Sequence, residues 1–305
     1  MARLALILNG KKADDASVIA AVRSMRDLGH GIEISVTRGD GDASRMTEAA
    51  LDRALAGDID TIVAGGGDGT VNEVFATAAN AASPPACSFG ILPAGTANDF
   101  ANGAGLPLAD PVSALGIVTD TPARSIDLGG IDERTFVNAA TGGFGAQVTV
   151  ETDPELKRRF GGLAYILTGL ARAGELTSHH GTFTGEGFSW SGTFVAMAIA
   201  NGRLAGGGIP LCPEALLDDG LLDLTVIRAV GADARDDVIG RLLREGLNGI
   251  EPIRITARSP WFTYEGDGPL AVNLDGEPMS LPRFEARIRP RHLSVHLGAD
   301  APLAR

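Results

Sequence analysis

Two hydrophobic periods alternate along the first third of the chain. Residues 3–9, Arg-Leu-Ala-Leu-Ile-Leu-Asn, form a short apolar run, the pattern of a strand buried on both faces. Residues Asp15 to Leu28 carry apolar positions at helical spacing and stop at Gly29, which suits the position just past a helix end. The alternation then repeats. Gly31 to Thr37 is a second strand with Ile32, Ile34 and Val36 alternating, and Ala43 to Leu55 is a second helix. Asp60 to Ala64 is a third strand, Thr70 to Ala81 a third helix and Phe89 to Leu92 a fourth strand. Strands separated by helices of this length predict a parallel α/β sheet with right-handed crossovers.

After about Ala123 the period changes. Strand-like runs follow one another at Phe136 to Thr141, Thr193 to Ala200, Leu222 to Ile227 and Leu270 to Leu274. Phe284 to Arg289 and Leu293 to Leu297 read as closing strands. Helical stretches interrupt only at Asp153 to Ala173 and Ala234 to Gly246. This half reads as a predominantly antiparallel β domain. The expected division is therefore an α/β domain over 1–123 and a β domain from 124 onward. No repeat or low-complexity linker separates them.

Composition narrows the partners. The chain has 305 residues, with 44% hydrophobic and 21% charged positions, an ordinary globular balance that excludes disorder. Its net charge of −12 argues against nucleic acid, which needs a basic footprint, and against firm docking on an anionic membrane. Lys11, Lys12 and Lys157 are the only lysines among 26 basic residues, a composition habit rather than a site. Cys87 and Cys212 lack metal-ligand spacing and read as reduced thiols. No signal-peptide pattern opens the chain and no apolar stretch reaches the 18–20 or so residues of a membrane span, so a cytoplasmic protein is expected.

The segments with chemical content are glycine-rich turns at strand ends. Gly65-Gly-Gly-Asp-Gly-Thr70 follows the third strand and precedes a helix. In an open α/β sheet, ligands bind at the carboxyl ends of strands. Glycines there let the backbone approach phosphate oxygens, and the following helix N-terminus favours the anion. Asp68 within the run argues against a simple tight turn. The spacing is neither a Walker A loop nor a dinucleotide fingerprint. A second segment, Ile91-Leu-Pro-Ala-Gly-Thr-Ala-Asn-Asp-Phe100, ends the fourth strand, and Thr96 is expected to start a helix. Two adjacent Gly-Thr turns can grip one phosphate chain from two sides. An ordinary capped helix is the bland alternative for the second.

Together these two segments resemble the diacylglycerol kinase catalytic domain superfamily, which also includes sphingosine, ceramide and NAD kinases. The resemblance extends through Ala140-Thr-Gly-Gly-Phe-Gly145, Asn201-Gly-Arg203, Gly206-Gly-Gly208, Leu211-Cys-Pro213, Asp219-Gly-Leu-Leu222 and Asn273-Leu-Asp-Gly-Glu-Pro278. It spans almost the whole chain and is strongest to the bacterial lipid kinases of the superfamily. It implies an N-terminal parallel α/β domain, a C-terminal β-sandwich over 124–290, and a tail, 291–305, returning to the first domain. The active site would lie in the cleft between domains. The resemblance maps ATP contacts onto Thr37, onto Gly66, Gly67, Asp68, Gly69, Thr70, Val71, Asn72 and Glu73, and onto Thr96. It maps a divalent metal onto the Leu216 carbonyl, the Asp219 carboxylate and the Leu221 carbonyl, and the catalytic base onto Glu277.

The residues themselves suit these roles. Asp218-Asp-Gly220 offers hard oxygen donors suited to Mg²⁺ or Ca²⁺, although it also reads as a solvated Asp-Gly turn. Leu274-Asp-Gly-Glu-Pro278 reads first as a hairpin turn, with Asp275 and Glu277 facing the cleft in the functional reading. Phosphoryl transfer needs a group that orients and deprotonates the acceptor hydroxyl, and a carboxylate serves. Asp68 either reaches a metal-bound water or the nucleotide, or orders its own loop. Phe160 to Leu176, flanked by Lys157, Arg158 and Arg159, either meets a membrane surface and acyl chain or covers the β domain. Gly206 to Gly208 is either a mobile loop over the cleft or a bend. The expectation is an ATP- and Mg²⁺-dependent lipid kinase, cytoplasmic and transiently membrane-associated, acting on diacylglycerol, phosphatidylglycerol or a similar lipid at the membrane surface. A kinase of a soluble acceptor, as NAD kinases are, or a non-catalytic nucleotide- or lipid-binding sensor is the alternative.

Overall fold

A computed structural model describes residues 1–143 and 178–304. In its first part four strands, β1 (Arg3–Leu8), β2 (Gly31–Val36), β3 (Thr61–Gly66) and β4 (Ser88–Pro93), pair in parallel in the order β4-β3-β1-β2. The near-continuous apolar sequence of β1 is explained by burial on both faces. Leu4, Leu6 and Leu8 pack with Val18, Val22 and Met25 of α1 (Ala16–Asp27) and with Ala114 and Leu115 of α5 (Pro111–Asp120). Ala5 and Ile7 face the opposite layer, formed by α2 (Asp42–Leu55) and α3 (Asp68–Ala79). Each Leu or Ile so buried contributes about 1.5–3 kcal/mol. Because the strands are parallel, their C-terminal ends share one edge. Asp15 and Asp110 cap their helices with side-chain oxygens, as the sequence pattern requires.

The second helix-forming turn differs from expectation. Thr96 does not start a helix; the short α4 spans Asp99–Gly103, and its N-cap Asn98 is left-handed at φ 51°. The reason is local: the Asn98 side chain accepts the Gly95 N–H at 2.9 Å and donates to the Gly95 carbonyl at 3.1 Å, which holds residues 95–98 as a loop.

The rest of the described chain is mostly antiparallel. β5 (Arg124–Ile131), β6 (Arg134–Phe136), β7 (Ala139–Gly142), β8 (His179–Gly185), β9 (Phe188–Ala200), β10 (Leu222–Arg228), β11 (Arg254–Ser259), β12 (Trp261–Leu274) and β13 (Glu277–Val295) follow in order. β7 and β8 each bridge the long strands β9 and β12, closing them around Phe183, Phe194, Tyr264 and Phe284. The helix α6 (Ala232–Glu245) lays Val238 and Leu242 on a neighbouring apolar cluster with Ile227 and Ile253. The helix expected over 153–173 and the apolar segment 160–176 lie outside the described residues. Among those described, no helix is long and apolar enough to cross a membrane. Cys87 and Cys212 are both free.

β13 joins the two parts. The two closing strands expected at 284–289 and 293–297 are one strand, interrupted where Arg291 adopts φ 49° and the register with β5 shifts between Arg289 and Leu293. Its far end meets β4 in parallel at Val295 and Phe89. Beyond it, the His296 N–H donates to the Phe89 carbonyl at 2.8 Å and the Leu217 N–H donates to the Pro302 carbonyl at 2.8 Å. The end of the chain thus packs against both parts.

Candidate active site

The site begins where β1, β2, β3 and β4 end together. The Asn9 N–H donates to the Gly65 carbonyl at 2.7 Å, and Asn9 Nδ2 donates to Thr70 Oγ1 at 3.3 Å. The Gly10 N–H donates to Thr37 Oγ1 at 3.2 Å, which fixes Thr37 beside the same edge. The Ala94 N–H donates to the Gly66 carbonyl at 2.8 Å, and the Phe100 N–H donates to Asp68 Oδ1 at 3.2 Å. The two glycine turns are therefore one structure. A Cβ built on Gly95 would stand 2.3 Å from the Gly67 Cα. Glycine at 67 and 95 is required by the contact of loop on loop. Asp68 orders the turns by accepting an N–H from the second one.

Facing these turns is a cleft of about 1050 Å³. Asp68, Gly69 and Thr96 line it from the α/β side, and Asn138, Asp275 and Met279 are among those that line it from the β side. A Cβ on Gly69 would meet nothing within 4 Å, so this backbone is open to a ligand. The other expected nucleotide residues stand behind this front. Gly66, Thr70, Val71 and Asn72 are buried, and Asn72 Oδ1 has no hydrogen-bond partner among the described residues. Glu73 is turned away: its carboxylate accepts the N–H of Ser44 at 2.9 Å and the Ser44 hydroxyl at 3.1 Å, supporting the first turn of α2.

The carboxylates of the β side come from one hairpin. Leu274 pairs with Glu277, leaving Asp275 (φ 48°) and Gly276 (φ 107°) as a two-residue turn with both residues left-handed. The Asp275 carboxylate is turned inward and accepts the N–H groups of Val137, Asn138 and Ala139 at 2.6, 3.1 and 2.8 Å. Burial pushes its carboxyl up to about 6, opposed by those three bonds, and the charge of Asp68 across the cleft adds to the rise. Glu277 is exposed at the rim, between the cleft-lining Gly276 and Pro278.

Two further groups shape the cleft. Buried Asp99 accepts the N–H of Gly207 at 2.9 Å and of Gly208 at 2.6 Å. This holds the loop Gly206–Gly208, all three at positive φ, over the cleft. Asn138 donates through Nδ2 to the Leu204 carbonyl at 2.7 Å and steadies the base of that loop. The sequence placed Asp99 near the site without giving it this partner. Nothing in the sequence marked Asn138.

The loop expected to hold a metal lies outside the cleft. Asp219 Oδ1 accepts the Leu221 N–H at 3.1 Å, and its other oxygen pairs with Arg258. Leu216 and Leu221 bring only carbonyls. As it stands, this set does not fit a divalent cation, because its one carboxylate is already neutralised. Among the described residues no three His, Cys, Asp or Glu side chains converge as a ligand set.

Fold and glycine turns together define a kinase-like two-part protein. Residues 3–131 match the diacylglycerol kinase catalytic domain, and residues 138–297 match the YegS C-terminal NAD kinase beta sandwich-like domain. The chain is 45% identical over 305 residues to a protein of Pseudomonas aeruginosa (strain UCBPP-PA14) named probable lipid kinase YegS-like, covering 99% of this chain and 97% of that one. A protein of the same name from Xanthomonas oryzae pv. oryzae is 43% identical over 307 residues, covering 98% and 97%. Among solved structures, a diacylglycerol kinase from Bacillus anthracis (strain Sterne) superposes with TM-score 0.73 at 23% identity, over 98% of each chain, and so shares the fold. The chain belongs to the YegS-like lipid kinase family.

Proposed function

We propose that this protein transfers the γ-phosphoryl group of ATP, supplied as its Mg²⁺ complex, to a hydroxyl group of a lipid. The observation that carries the reading is the two-sided cleft. One wall offers open backbone at Gly69 and Thr96, beside the N-terminus of α3, where a polyphosphate is stabilised. The other offers an apolar lining from Ile209, Leu211, Val272 and Met279, suited to acyl carbons, beside the hairpin that carries Asp275 and Glu277.

Phosphoryl transfer depends on positioning and on charge compensation more than on covalent chemistry by the protein. The glycine turns hold the nucleotide, whose own Mg²⁺ offsets phosphate charge. Asp68 fixes the two turns relative to each other. Glu277, whose side chain has no hydrogen bond or ion pair among the described residues, stands at the cleft rim and accepts the proton of the lipid hydroxyl as the oxygen attacks the γ-phosphorus and ADP leaves. Asp275 holds the hairpin in place. The apolar wall orients diacylglycerol, phosphatidylglycerol or a related lipid presented at a membrane surface.

The test is transfer of label from γ-labelled ATP with Mg²⁺ to a panel of detergent-dispersed lipids. Label in a lipid class supports the reading. Label only in a soluble alcohol or NAD, or nucleotide binding without any transfer, replaces it with a soluble-acceptor kinase or a sensor.

A further inference from the structure

The edge strand β11 pairs antiparallel with β10, which follows the loop carrying Asp219. Register places Arg258 directly opposite Asp223. The guanidinium Nε lies 3.3 Å from the Asp223 carboxylate, and Nη2 reaches on to Asp219. The two carboxylates are 9% and 12% exposed, whereas Arg258 is 40% exposed. Beside the pair lies a cavity of about 300 Å³ lined by Glu214, Asp223, Arg254 and Arg258 among others. Neighbouring carboxylates are already committed: Asp127 Oδ2 accepts the Gly220 N–H at 2.7 Å and Asp218 Oδ1 accepts the Ala304 N–H at 2.5 Å.

We infer that Arg258 is the resident counter-ion of this loop, and that it and a divalent cation compete for Asp219. Asp219 is the one carboxylate of the expected ion set, and the guanidinium already covers it. An ion placed there would sit beside a fixed positive charge at low solvent exposure, where repulsion is poorly screened. Removing the guanidinium leaves Asp219 and Asp223 uncompensated, hard oxygen donors of the class that Ca²⁺ and Mg²⁺ prefer, with Asp223 on the wall of the neighbouring cavity. In this chain the loop is therefore ordered without a metal.

The experiment uses the full chain without nucleotide. CaCl₂ and MgCl₂ are titrated calorimetrically, and thermal unfolding is followed in excess EDTA and in millimolar CaCl₂. The wild type is expected to unfold at the same temperature in both. Arg258→Met is expected to bind CaCl₂ about tenfold more tightly and to gain Tm with it. Arg258→Gln, which keeps a hydrogen-bond donor without the charge, gives the same gain and serves if the methionine variant does not fold. Arg258→Lys keeps a cation and stays like the wild type. Adding Asp219→Asn to either neutral variant removes the gain. A wild type that loses Tm in EDTA, or neutral variants that bind no more tightly than the wild type, overturns the inference.

Discussion

Asp275 Oδ2, at the tip of the β12–β13 hairpin, accepts the backbone N–H of Val137 at 2.6 Å, tying together two segments 138 residues apart in the chain. The same carboxylate takes two more N–H groups, so it anchors the edge of β7 and the turn that presents Glu277. Hydrogen bonds to a charged acceptor are worth about 1.5–3 kcal/mol each and are not additive. Asp275→Ala is expected to cost about 3 kcal/mol, seen as a lowered midpoint in urea unfolding. A loss below about 1 kcal/mol would show that water replaces the carboxylate.

The same residue gives a pH signature. Its carboxyl is raised to about 6 in the folded protein, above the ordinary value of 3.8. The folded state therefore holds the proton more tightly, and this contribution is present at low pH and is lost as pH rises from about 4 to about 6. Comparing wild type with Asp275→Asn by thermal unfolding across that range isolates it. The wild type should lose stability relative to the variant as pH rises. A flat difference would refute the assignment.

His296 has the opposite sign. Its Nδ1 faces the Thr121 carbonyl at 2.8 Å and so carries the hydrogen, leaving Nε2 to accept from the Ser88 hydroxyl at 2.9 Å. Burial lowers its basicity below the ordinary value of 6.5. The unfolded chain binds the proton more readily, so stability is lost as pH falls below about 6.5. His296→Gln should remove that acid-side loss, and thermal unfolding of the two proteins across the range reads it. The loss persisting in the variant would place it elsewhere.

The two loop glycines should separate folding from ligand binding. Gly95→Ala drives a methyl group into Gly67 and is expected to lower Tm and nucleotide affinity together. Gly69 lies in α3 with open space around it, so Gly69→Ala should hold or slightly raise Tm, as helical glycine replacements do by up to about 1 kcal/mol. The added methyl should nonetheless raise the KM for ATP. Unchanged KM would mean that the nucleotide does not approach this backbone.

Much of this was legible in the sequence, for identifiable reasons. Four apolar runs alternating with helical periods gave the parallel sheet and the common edge where β1 to β4 end. Asp275-Gly276 announced a hairpin because both residues tolerate positive φ. What stayed hidden depends on distant pairing. Glu73 looked like part of the glycine-turn site, but the packing of α2 on α3 brings Ser44 to it. Arg258 became a partner of Asp219 only through the β10–β11 register. Arg289-Pro-Arg-His292 broke the alternation of β13, although the strand runs through it. Thr96 looked like a helix start because the Asn98–Gly95 bonds that prevent it are side-chain geometry.

Transfer of γ-labelled phosphate to dispersed lipid by the wild type and by Glu277→Gln tests the central reading most directly. Lipid labelling by the wild type, falling by about 10²–10⁴-fold in the variant while its ATP affinity is retained, is the expected result. Equal labelling by the two proteins, or loss of labelling together with ATP binding, would contradict the role given to the hairpin carboxylate.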